Sequence, residues 1–158
     1  MSEVLYNSSC TSMDKSAQYL FCHFLFGKDR EFSRWPQSTK IACWHCCGPF
    51  SGVPVSVPKF YDAARKQWEL QGVYCSLACA KRAILNDDNF NTTTVMMWFR
   101  LFCREVLGIR KADSIAAAPP RAMLLKFGGP LSLSKFRSMT RGNESADARA
   151  VSAEQGWV

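Results

Sequence analysis

Histidine is almost missing from this chain: His23 and His45 are the two in 158 residues. General acid–base chemistry near neutral pH is therefore poorly supplied. No Ser–His–Asp set, paired carboxylates or glycine-rich phosphate loop can be assembled from what remains. An enzyme is not expected, nor a small-molecule substrate. Long apolar runs are missing as well. The most apolar stretches, 19–26 and 95–107, fall short of the ~20 uninterrupted residues that a spanning helix needs, and the second carries Arg100, Arg104 and Glu105. No membrane span is expected. Residues 1–14 are broken by Ser8, Ser9, Thr11, Ser12 and Asp14, which argues against a secretory signal and for an intracellular location. Acidic residues are scarce in one region: 91–142 holds only Glu105 and Asp113 against nine basic groups, a net +7. The flanking parts are near balance, with +1 for 1–40, +1 for 41–90 and −2 for 143–158.

Cysteine, by contrast, is abundant, with eight residues. Without secretion a disulfide framework is disfavoured, and closely spaced pairs are better read as metal ligands. Two pairs stand out, Cys43-Trp44-His45-Cys46 and Cys75-Ser76-Leu77-Ala78-Cys79, separated by residues 47–74. A CxxC pair followed at that distance by CxxxC has the spacing of a closed, four-thiolate zinc site. One structural Zn²⁺ on Cys43, Cys46, Cys75 and Cys79 is therefore expected. Four thiolates fill the shell, whereas a catalytic zinc keeps one position open. A redox role for the first pair would leave Cys75 and Cys79 unexplained. His45 and Cys47 flank the ligands as substitutes. His23 reads as an ordinary core or surface histidine, and Cys10, Cys22, Cys47 and Cys103 as free thiols.

The intervening residues predict a hairpin. Val53–Tyr61 has strand composition, with Pro54 and Pro58 confining it to an edge or a broken ladder. Asp62–Arg65 is the turn, and Gln67–Tyr74 begins with the alternation of a half-buried strand. Gly48, just past the second cysteine, is expected to let the first pair turn tightly. Ser76 is placed to cap a helix that runs to Asn86 and puts Cys79 in its first turn, where exposed N–H groups and the helix dipole favour a thiolate. Residues 92–107 form the longest helix candidate, opened by Asn91 or the threonines and stopped at Gly108. It is apolar on most sides, with Trp98 and Phe99 expected in the core and Arg100 and Arg104 one turn apart. Lys111 would align with them if the helix ran on. Ala116–Ala118 reads as a linker, Arg121–Phe127 as a short proline-started helix ended by Gly128-Gly129, and 130–137 as a last short element. Residues 15–26 are open to two readings, a helix capped by Asp14 or a buried strand over 19–26.

The runs IACWHCCGPFSGVPVSVPKFYD and GVYCSLACAKRAI resemble the MYM/FCS-type (TRASH-like) combination of zinc knuckle, hairpin and helix. With APPRAMLLKFGGPLSLSKFR added, the match over roughly 38–138 is similar to the small zinc-finger late-gene transcription factors of large nucleocytoplasmic DNA viruses. Ala118-Pro119-Pro120-Arg121 and Phe127-Gly128-Gly129 make that likeness more specific than the cysteines do. The resemblance implies zinc ligation by Cys43, Cys46, Cys75 and Cys79. It also implies a trans-acting role in late viral transcription, with the viral RNA polymerase or other late factors as partners, in infected cytoplasm or at a virus factory.

The expected fold is a small α+β one: a zinc-nucleated, treble-clef-like knuckle, β-hairpin and helix with added helices on both sides. Four parts are expected: a leader and aromatic segment over 1–40, the finger over 41–90, a basic helical segment over 91–142, and a disordered tail over 143–158. Contacts to DNA or to an acidic protein surface are assigned to Arg100, Arg104, Lys111, Arg121 and Lys126. The second functional reading is a protein-interaction or virion structural module that does not touch nucleic acid.

Overall fold

Proline dictates where the first long strand can lie. A strand carrying Pro58 cannot donate at that position, so it belongs at a sheet edge. In the computed structural model, which describes residues 38–64, 67–88 and 91–142 and the strand 23–25, that strand is β2 (Val55–Asp62), and it is an edge. β1 (His23–Leu25) and β2 flank β3 (Gln67–Tyr74) in an antiparallel sheet of order β1–β3–β2. The β2–β3 register slips between Val55 and Val57 and again between Pro58 and Phe60, the irregularity expected around a residue that cannot complete the ladder. Of the two readings of 15–26, the described residues 23–25 follow the strand, with Phe24 opposite Trp68. The leader over 1–14, residues 15–22, the tail from 143, and Cys10 and Cys22 lie outside the described residues.

Three helices follow. α1 (Leu77–Leu85) starts at Ser76, whose hydroxyl accepts the Cys79 amide at 3.2 Å. α2 (Thr92–Glu105) starts at Asn91, whose side chain accepts the Thr94 amide at 3.2 Å. It ends two residues earlier than the apolar pattern suggests, so Lys111 falls outside it, beside the short 3₁₀ turn Ala112–Ser114. α3 (Leu133–Gly142) is preceded by Ser132, whose hydroxyl accepts the Lys135 amide. It is longer than the short element expected there.

The core forms where α1, α2 and the sheet meet. Trp68 of β3 packs its ring edge-on to Phe102 at 5.2 Å and Trp98 at 6.1 Å. Val55, Val57, Leu70, Val73, Ile84 and Phe99 are buried around them. One apolar cluster extends from Cys43 to Phe136. The architecture is a small α+β fold, and among the described residues no helix is long and apolar enough to cross a membrane.

Two expectations fail downstream of α2. The linker over 116–118 is a packed strap: Ala118 is fully buried and its amide bonds the Ala78 carbonyl of α1 at 2.9 Å. Lys81 donates to the Ile115 carbonyl and Arg82 to the Ala118 carbonyl. An alanine-rich run before two prolines looks mobile in sequence, but small side chains also let a backbone press against a helix. Arg121–Phe127 is not a helix either. It forms two 3₁₀ turns, Arg121–Met123 and Leu125–Phe127, broken at an extended Leu124. The break buries Leu124 and pairs it with Leu131, with the Leu125 amide donating to the Leu131 carbonyl at 2.8 Å. Gly129 makes this possible, since a Cβ there would lie 2.2 Å from the Met123 backbone carbon.

Phe99 is fully buried, whereas Met97 on the same helix is half exposed. Phe99→Ala should therefore cost about 3–5 kcal/mol and Met97→Ala within about 0.5 kcal/mol, read from the midpoints of urea unfolding. Equal costs would mean that α2 presents a different face to the sheet.

Candidate metal centre

A backbone turn brings the first two cysteines together. The Cys47 amide donates to the Cys43 carbonyl at 2.8 Å, and the Cys43 amide to the Gly48 carbonyl at 3.0 Å. The left-handed residue that closes this knuckle is Cys47, with φ of 55°, and not Gly48. Gly48 serves a different need: a Cβ there would sit 2.4 Å from Leu133 Cδ2, so the missing side chain is what admits α3. A further bond, Trp44 N–H to the Val73 carbonyl at 2.8 Å, sets the knuckle against the end of β3. Two residues beyond Val73 stands Cys75, and the Ser76 cap turns the chain so that Cys79 faces back from the first turn of α1.

The four sulfurs Cys43, Cys46, Cys75 and Cys79 converge, all within 4.8 Å of one another. Cys46 and Cys75 are 3.7 Å apart, as are Cys75 and Cys79. A disulfide needs about 2.05 Å, so these are separate thiols. A regular tetrahedron built on metal–thiolate bonds of about 2.3 Å has edges of about 3.8 Å. The set is thus shaped to hold one metal ion. Cys43, Cys46 and Cys79 are buried and Cys75 is partly exposed.

Such a cluster holds protons unevenly when no cation is bound. The Cys46 thiol lies far below its ordinary range because Cys43, then Cys75 and Cys79, donate to it, with Arg137 adding a fourth donor. Cys43 falls to about 7: its bond with Cys46 raises it, but those with Cys75 and Cys79 outweigh that. Cys75 and Cys79 move the other way, held as protonated donors by hydrogen bonding to Cys43 and Cys46 and by burial. A divalent cation would replace those shared protons.

The residues from 119 to 137 enclose the knuckle. His45 is buried, with Nε2 2.9 Å from the Pro119 carbonyl and its ring 5.9 Å from Phe136. It therefore anchors the strap, and burial holds it in the neutral form, below its ordinary pKa. Neither His45 nor Cys47 joins the sulfur cluster; the Cys47 thiol points to the His45 carbonyl at 3.6 Å. Arg121 donates to the carbonyls of Trp44 and His45, at 2.5 and 2.9 Å, and Lys126 to that of Cys47 at 2.8 Å. Arg137 donates to Cys46 Sγ at 3.3 Å, to the Gly48 carbonyl at 3.1 Å and to the Pro49 carbonyl at 2.8 Å. Its guanidinium is held charged: burial opposes this, while the Cys46 bond and the sulfur charges favour it more.

The five basic residues assigned to partner contacts lie in two places. Arg121 and Lys126 grip the knuckle. Arg100 pairs with Asp113 at 2.5 Å and Arg104 with Glu105 at 2.7 Å, both on the exposed face of α2. Arg100 and Arg104 line a shallow groove with Met97, Leu101 and Arg110. Lys111 is exposed beside it. Spacing alone gave no sign of Arg137, because it lies 91 residues from Cys46. Its only mark in sequence is its place at the end of the SLSKFR run. Cys103 is a buried core thiol, pushed up to about 12 by burial.

No protein-family profile and no solved structure matches the chain. The chain is similar to an uncharacterized protein of Acanthamoeba polyphaga mimivirus, 26% identical over 143 residues. That match takes in 85% of this chain but 39% of the viral protein, so the chain spans well under half the length of its relative.

Cys75→Ser should abolish stoichiometric metal binding, and chelation of the unaltered protein should lower its melting temperature sharply. Cys47→Ser should bind metal at the unaltered stoichiometry. Elemental analysis and thermal melting check all three; a melt insensitive to chelation would remove the metal from the folding account.

Proposed function

We propose that the chain is a viral late-gene transcription factor in which one structural zinc ion builds a surface for a protein partner in the transcription machinery. The four-sulfur cluster carries this reading. Its edges suit Zn²⁺, which has no geometric preference of its own and takes tetrahedral thiolate sites readily. Four protein ligands leave no position for water or substrate, so the ion's role is to hold the fold, and no enzymatic activity is assigned. The order of knuckle, hairpin and capped helix is consistent with the treble-clef-like, MYM/FCS-type finger that the sequence resembles.

Two observations stand behind the viral setting and the unity of the motif. The similarity to a mimivirus protein is consistent with a giant-virus setting. The residues that make the resemblance specific, Ala118–Arg121 and Phe127–Gly129, hold the knuckle or shape the turns beside it. Pro119 accepts from His45, Arg121 binds the Trp44 and His45 carbonyls, and Gly129 admits the 3₁₀ turns. The motif and the cysteines thus act as one unit. On this reading the protein works in the infected cytoplasm or at a virus factory.

A protein is favoured over DNA as the direct partner. Of the nine basic residues in 91–142, Arg121, Lys126 and Arg137 are committed to knuckle carbonyls. Phosphate contacts need cations that are free to release counterions. What remains around α2 is an apolar strip, Met97 and Leu101, rimmed by Arg100, Arg104 and Arg110, and that mixture suits an acidic, partly apolar protein segment.

Charge reversal of Arg100 and Arg104 to Glu should weaken capture of the viral polymerase or a late factor at least tenfold and leave the melting temperature within a few degrees. DNA affinity, measured from 50 to 200 mM salt, should be weak and show a shallow slope. Tight DNA binding with a steep salt slope would transfer the basic contacts to nucleic acid. Recovery in virions with no polymerase association would favour the structural-module reading.

A further inference from the structure

α3 meets the metal centre through one side chain, and the contact carries charge. Arg137 reaches back from the second turn of this helix and sets Nη2 against Cys46 Sγ at 3.3 Å. The same nitrogen bonds the Gly48 carbonyl, and Nη1 bonds the Pro49 carbonyl. Leu133, one turn earlier, fills the space left by the missing side chain of Gly48. Phe136, between them in sequence, is fully buried against His45. So α3 sits on the knuckle through an apolar contact and a guanidinium. That guanidinium is imperfectly served: its Nε is buried and has no hydrogen-bond partner. Arg137 as a whole is half-buried, so this donor adds a modest cost that opposite charge close by offsets. The opposite charge here is the sulfur cluster.

We propose that Arg137 is a positioning residue for the metal centre and that its contact with Cys46 makes the seating of α3 depend on whether the metal is bound. This rests on the four-cysteine metal reading above and extends it to a helix that supplies no ligand. With a divalent cation on four thiolates the centre carries a net charge of −2, and the guanidinium lies against it. Without a cation nothing holds the four sulfurs to one centre, and the Cys46 sulfur that Nη2 meets is no longer fixed in place. The helix then keeps Leu133, Phe136 and the bonds from Arg137 to the Gly48 and Pro49 carbonyls, but loses its tie to the centre itself. Because the two equilibria share one contact, the coupling is reciprocal: metal favours the docked helix, and the docked helix favours metal. Hydrogen bonds to metal-bound ligands from outside the coordination shell typically change metal affinity by about 10–100-fold on removal.

The test uses Co²⁺ as a spectroscopic stand-in for zinc on the full chain, with chelator competition for affinity and hydrogen exchange for the helix. Arg137→Gln should weaken metal binding by about 10–100-fold and shift the thiolate-to-cobalt charge-transfer band, because a donor to Cys46 is lost. Arg137→Lys should recover part of both. In the unaltered protein, removing the metal should increase exchange in 133–140 more than in α2. A residue that only packed would leave the band where it was, and Leu133→Ala, which loosens α3 without touching the guanidinium, should do that. If the unaltered chain takes up no stoichiometric Co²⁺ or Zn²⁺, the metal reading fails and this inference with it. If it takes up one ion and Arg137→Gln matches it in affinity and band position, only the role of Arg137 is overturned.

Discussion

Four sulfurs drawn within 4.8 Å of one another are the constraint that the rest of the molecule answers to. They come from places that the chain must fold to unite: a turn at 43–46, the residue after a strand, and the first turn of a helix. Thiols this close repel when ionised and share protons when they are not. Only a cation makes all four thiolates mutually favourable. The backbone bond from Cys43 to Gly48 closes the first half, and that from Trp44 to Val73 sets it against the second. The fold is thus assembled around a set of groups that, left without a positive charge, would push it apart.

The positive charge in the sequence is used in that setting. A net +7 over 91–142 invites thoughts of a polyanion, but three of its cations are bonded to the molecule's own backbone. Arg121 and Lys126 bind the knuckle carbonyls and Arg137 binds both carbonyls and a sulfur, while Lys81 and Arg82 of α1 pin the strap at 115–118. Backbone carbonyls in an irregular loop have no ladder to satisfy them, and long basic side chains reach them across the surface. Local charge in the sequence is then a poor guide to binding surface, since a cation bonded to a carbonyl is tied to one place and less free to meet a partner.

Much of the site was legible because its signals are local. The CxxC and CxxxC spacings, the Ser76 cap that orients Cys79, and the prolines that send β2 to an edge each act within a few residues. The elements that misled are those whose conformation is decided from outside. Ala116–Ala118 looks like a linker until α1 is beside it, and Arg121–Phe127 looks helical until Leu131 offers Leu124 a bridge. Gly48 looked like a turn residue, while the left-handed position is Cys47 and the glycine is there for Leu133.

By itself the sequence determined which four cysteines converge, the strand–helix setting that presents them, and the scarcity of histidine, because cysteine spacing, capping and residue type are properties of short segments. The tertiary structure alone decided that His45 anchors a strap and stands outside the sulfur cluster, that the basic residues part into knuckle clamps and an α2 groove, and that Arg137 lies against Cys46. Those contacts join positions 74 to 91 apart. Their partners are backbone carbonyls and a sulfur, which leave no pattern in the side chains that flank them.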